Sequence, residues 1–311
     1  MPTVQQQSKN RAAAALAPAA TGTRTLSYGG AIDGIGVQSG QSKVYLVFYG
    51  SQWGTATTSG GITSFSGDAK GGAPVAQKFF QGIGTGESWS NVLQQYCDGS
   101  VSTGATVCPS GSTHIPAQAA NRLAGVWYDN SVASPSAASG HQLGVEAVNA
   151  AAHFGNTTAA SNRYAYYVIL SPHNTNPDHY QGQYCAWHDY NGDSTLTGGG
   201  VSSPYGDIAF SNQPYNMDSG AGCGVGFLSS PGTLDGWTMT LGHEWAEEMT
   251  DQNPAGGWTN QTSSSYSGQG NADECAWLRS GTGHAAYVAF STGTFALQGS
   301  WSNATNACRL T

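Results

Sequence analysis

His243 and Glu247 stand four residues apart in the run Thr240-Leu241-Gly242-His243-Glu244-Trp245-Ala246-Glu247-Glu248-Met249. On a helix that spacing puts both side chains on one face, about one turn apart. An imidazole and a carboxylate so placed can hold a divalent cation, and Zn²⁺ accepts both donor types. Glu244 lies about 100° round from His243. There it can take a proton from a water attacking a carbonyl, so it is the candidate general base. This is the HExxH spacing of zinc peptidases with a Glu in place of the second His, which makes the site harder and more anionic.

Three features lift the motif above a chance acidic helix. Its neighbours Trp237, Met239, Leu241, Trp245, Ala246 and Met249 are apolar, so its charges are expected to enter the interior. Buried acids need partners, yet no Lys or Arg occurs from 164 to 278, a stretch with 12 of the 18 Asp and Glu residues. A second acidic group, Asp273-Glu274, follows beside Cys275. Asp251, at i+8, lies about 12 Å along the axis from His243, which suits a supporting role near the helix end. Asp273 is therefore the expected third ligand, with Glu274 next and Asp251 as a supporting alternative.

Other candidates accompany this motif. Asp189-Tyr190-Asn191-Gly192-Asp193 has the DxNxD spacing that converges oxygens on Ca²⁺, although Ser194 and Gly200 depart from the EF-hand loop and an ordinary Asx turn competes with that reading. Tyr266, His284 and His188 are the candidates for stabilising a tetrahedral oxyanion. No GxSxG elbow occurs, and Gly82-Ile83-Gly84-Thr85-Gly86 does not follow a strand as a nucleotide loop would. A net charge of −8 argues against nucleic-acid binding, and no apolar run approaches the roughly 20 residues that span a bilayer.

The elements that must position these groups are legible in part. Lys43 to Tyr49 and Arg163 to Leu170 read as buried strands, and Gly125 to Tyr128 as a short one. Helical spacing recurs at Ala76–Phe80, Ser88–Tyr96 and Ser139–Phe154, so strand and helix alternate. The expected fold is α/β: a mixed, largely parallel sheet with flanking helices. Beyond it lies a loop-rich C-terminal half, with strands expected at Tyr184–Trp187, Asp207–Phe210, Tyr287–Phe290 and Thr294–Leu297 and a helix at Leu234–Met249. Six cysteines without a CxxC fit disulfides, paired by proximity as Cys97–Cys108, Cys185–Cys223 and Cys275–Cys308. They imply an oxidising compartment, hence a secreted or periplasmic protein. Residues 1–25 read as a disordered leftover segment ahead of a single domain, 26–311.

HExxExxTD followed by Asn271-Ala272-Asp273 is similar to the thermolysin-type arrangement of HExxHxxTD with a downstream N-E element, departing at the second His and in the connecting length. More broadly, the chain resembles a family of secreted bacterial proteins distantly similar to the plant phosphate-induced, EXORDIUM-type proteins. The matching pieces are YCAWHDYNGD (184–193), SPYGDIAF (203–210), GHEWAEEMTDQNPAGGW (242–258), NADECAW (271–277) and TFALQGSWSNATNAC (294–308). The family resemblance implies relationship and secretion, and the thermolysin-type likeness implies a zincin-like domain. The expectation is a monomeric zinc endopeptidase acting on protein or peptide, with Ca²⁺ as a further candidate ion. The competing expectation is a non-catalytic module with structural metal sites that binds glycan through its many Trp and Tyr.

Overall fold

The computed structural model describes residues 24–261 and 265–311, so most of the expected N-terminal segment, residues 1–23, lies outside the described residues. A five-stranded sheet is built from β1 (Lys43–Tyr49), β2 (Leu123–Asp129), β3 (Ala165–Leu170), β4 (Trp187–Tyr190) and β5 (Ala209–Gln213). Its order is β2–β1–β3–β5–β4; the first four in that order run parallel, and the edge strand β4 runs antiparallel to β5. The mixed, largely parallel α/β fold is therefore as expected.

The helices follow from chain handedness. The β1-to-β2 connection carries α1 (Gly72–Gly82), and the β2-to-β3 connection carries α2 (Gly140–His153) in the opposite direction across the sheet. Right-handed crossovers in opposite directions put their helices on opposite faces. Side-chain alternation along β1 agrees. Val44, Leu46 and Phe48 join the core that contains Ala76, Phe79 and Phe80 of α1, while Tyr45 and Val47 join the one that contains Leu143, Ala147 and Ala151 of α2. Ser139 starts α2 with a reciprocal capping box to Gln142. By contrast Trp89–Gln95 is a 3-10 segment, and Ser88 makes no capping bond.

A third helix, α3 (Asp235–Thr250), packs on the α1 face and is buried along its whole length. Trp237 donates to Gly72 O at 2.9 Å and Trp245 to Ser42 Oγ at 3.2 Å, which fixes its rotation and leaves Glu244 and Glu247 toward β4 and His243 toward Asp273. The hairpin β6 (Ala286–Phe290) with β7 (Gly293–Leu297) covers another side of α3. The three expected disulfides are all present, and Cys275–Cys308 ties the turn 273–275 to the small pair Ser300–Ser302 and Ala307–Arg309. No described helix is long and apolar enough to cross a membrane. The disulfides fit an oxidising environment.

Candidate metal centre

Asp273 reaches α3 because the turn that bears it is fastened there. Asn271 donates to Ala246 O at 3.0 Å and to Thr250 Oγ1 at 2.8 Å, and Asp273 N donates to Glu247 Oε1 at 2.9 Å. Gly270 permits the approach: a Cβ there would lie 2.4 Å from Glu247 Oε1. The result brings three expected ligands together. His243 Nε2 is 3.3 Å from Glu247 Oε2 and 3.4 Å from Asp273 Oδ1.

These separations fit a cation better than hydrogen bonds. A tetrahedral ion with bonds of about 2.0–2.1 Å holds its ligand atoms about 3.3–3.4 Å apart. N–H···O bonds cluster at about 2.7–3.2 Å. The other nitrogen of His243, Nδ1, is 3.1 Å from the Gln298 amide, whose Nε2 also donates to Ala272 O at 2.8 Å. An ion on Nε2 would require a proton on Nδ1, the nitrogen that faces the Gln298 side chain.

His188 enters from β4, a strand some 55 positions before the motif, and completes the cluster. Its Nδ1 is 3.5 Å from Glu244 Oε2 and 3.7 Å from Glu247 Oε2; its Nε2 is 3.6 Å from Asp251 Oδ1. Asp251 terminates α3, its N–H donating to Glu247 O at 2.8 Å, and so takes the supporting place expected of it. All these side chains are buried; the most exposed, His243, keeps 10%.

Burial sets the electrostatics. It pushes the carboxyls of Glu244, Glu247 and Asp251 above their usual range; the neighbouring imidazoles oppose this at Glu244 and Asp251, while Asp273 adds to it at Glu247. At both imidazoles burial disfavours the cation, but the surrounding carboxylates win: Glu247 and Glu244 around His243, Asp251 and Glu244 around His188. Both pKa values are raised well above the ordinary range. The pocket therefore demands positive charge at each ring. Glu248, on the far side, is pushed up to about 8 by burial and is bonded to Gln38.

The remaining candidates lie apart from this cluster or are otherwise engaged. Glu274 accepts from Asn260 at 2.8 Å and lies 3.8 Å from Arg24, whose guanidinium also donates to Tyr266 OH at 3.2 Å. The carboxylate-rich stretch is thus served by a cation from far outside it, a pairing invisible in local spacing. His284 is exposed, its Nδ1 2.8 Å from Gly281 O. In the DxNxD turn, Asn191 donates to Val201 O and accepts from Ile208 N, both at 2.7 Å. Asp189 Oδ1 accepts from Tyr190 N at 2.8 Å and Asp193 Oδ1 from Thr195 N at 2.6 Å. The Asp193 bond is that of an Asx turn, while Asn191 ties the turn to the segments at 201 and 208. Sequence reasoning missed Gln298 and Asn271 as supports; Asn271 lay inside the quoted N-A-D element and could have been weighed. No family model matches the chain, and no curated protein or solved structure matches it.

Proposed function

We propose that the protein is a secreted, metal-dependent hydrolase, most specifically a zinc endopeptidase acting on protein or peptide as a monomer. The observation that supports it is the convergence of His243, Glu247 and Asp273 at 3.3 and 3.4 Å beside a separate buried carboxylate, Glu244. His243, Glu247 and Asp273 would hold the ion. Bound Zn²⁺ supplies Lewis acidity toward a carbonyl oxygen and a reactive water near neutral pH. Glu244 receives the proton as water attacks the carbonyl, and its raised pKa suits returning that proton to the leaving amine. His188 stands beside Glu244, its Nδ1 3.5 Å from Glu244 Oε2, and helps to orient that carboxylate. The test is elemental analysis after purification without chelator, with casein hydrolysis before and after chelation. Absence of bound transition metal defeats the reading.

The depth of the cluster favours a second reading, a structural ion in a glycan-binding secreted protein, because a hydrolytic centre must admit substrate. That reading requires retention on a polysaccharide column and no chelator-sensitive hydrolysis of casein.

A further inference from the structure

We infer that the centre has places for two divalent cations, the second held by His188 Nδ1, Glu244 and Glu247, with Glu247 shared between them. This rests on the first position at His243, Glu247 and Asp273 and extends it. The sharing is visible in a single atom: Glu247 Oε2 is 3.3 Å from His243 Nε2 and 3.7 Å from His188 Nδ1. A carboxylate between two imidazoles from different elements is placed as a bridge, and bridged pairs sit about 3.5–4 Å apart.

His188 supplies an independent sign of a missing ligand. It is 5% exposed, and among the described residues its Nδ1 has no hydrogen-bond partner. The nearest carboxylate oxygens stand at 3.5 and 3.7 Å, too far for a good hydrogen bond. As edges of a tetrahedron these distances correspond to bonds of about 2.1–2.3 Å. The other nitrogen bonds the Asp251 carbonyl at 3.4 Å, with the Asp251 carboxylate 3.6 Å away, so an Nε2 proton has an acceptor and leaves the Nδ1 lone pair pointing inward. A carboxylate behind a histidine is the usual support of a metal-binding ring.

Charge supports the same count. Among the described residues, the ion-pair partners of Glu244, Glu247 and Asp251 are His188 and His243, not Lys or Arg. With Asp273 they make four carboxylates around two imidazoles. With all four carboxyls ionised and both rings neutral as ligands, two divalent cations balance the charge. Glu244 then shares one oxygen with the second cation and keeps the other for proton transfer.

The test is equilibrium dialysis of the full chain against Zn²⁺, then against Mn²⁺, with ions per chain counted and folding checked by near-UV circular dichroism. About two ions in the wild type and about one in His188→Ala are expected. One ion in both proteins, or two in both, overturns the second position. Should His188→Ala fail to fold, the wild type with Mn²⁺ decides by electron paramagnetic resonance. An exchange-coupled pair supports the bridge, and only isolated Mn²⁺ spectra overturn it. One ion with intact hydrolysis defeats this inference alone. Two coupled ions without hydrolysis of any peptide uphold it and defeat the endopeptidase reading.

Discussion

The backbone N–H of Asp273 donates to Glu247 Oε1 at 2.9 Å, leaving Glu247 Oε2 turned toward His243 and His188. One carboxylate is thereby oriented by the segment that brings the third ligand. Half of the centre's geometry is set by a main-chain bond, which no conservative change at position 273 removes.

The roles of Glu244 and its neighbour are separable by substitution. Glu244→Gln is expected to keep at least the ion on His243, Glu247 and Asp273 while lowering kcat by about 100- to 10,000-fold, the usual worth of a positioned base. His243→Ala is expected to lose that ion. Metal content and turnover measured on the same preparations check both, and full activity in Glu244→Gln would exclude it as the base.

Gly270 lies so close to Glu247 that an added methyl group must displace the carboxylate. Gly270→Ala is expected to weaken metal binding by roughly 10- to 100-fold, as loss of a ligand's support does. Competition with a chromogenic chelator measures this. Unchanged affinity would show that Glu247 can shift without cost.

The Cys275–Cys308 bridge closes a separation of 33 residues. Replacing both cysteines by Ala is expected to destabilise the fold by about 3–4 kcal/mol on loop-entropy grounds and to weaken metal binding by freeing the Asp273 turn. Denaturant titration gives the first quantity and dialysis the second. Equal metal affinity with and without the bridge would refute the link.

A pH effect is expected far from the centre. Glu146, buried in α2, is pushed up to about 8 by burial and then by the nearby Asp129 carboxylate. Its folded-state value lies above the unfolded one, so the folded chain holds the extra proton between them. That contribution is complete below about pH 4.5 and is lost as pH rises through about 8. Thermal melts should therefore show a component of stability falling from pH 5 to 8.5, and Glu146→Gln should flatten it. An unaltered slope in the variant would assign the effect elsewhere.

The parallel core was legible because β1 and β3 are continuous apolar runs buried on both faces. The strands nearest the site were misplaced by two or three residues. Expected at Tyr184–Trp187 and Asp207–Phe210, they occupy Trp187–Tyr190 and Ala209–Gln213. The cause is physical: Ser211, Asn212 and Gln213 are buried though polar, and Gln213 spends its amide on Thr240 Oγ1 at 3.0 Å. A reading based on hydrophobicity ends the strand where such residues begin. Within the site, His243 and Glu247 were legible because helical spacing is local. Asp273 was legible through its neighbour Cys275. The place of His188 was not, because only the antiparallel pairing of β4 on β5 brings it over α3.

Fastening the Asp273 turn by Cys275–Cys308 has a consequence for maturation. The donors at 188, 243, 247 and 273 come from distant parts of the chain that strand pairing, helix docking and the bridge join. On the proposed reading, a full ligand set for an ion exists only in the folded, oxidised chain. Because ligand sets of this kind discriminate weakly among transition metals, an ion bound there would be set by what is available where the bridge closes.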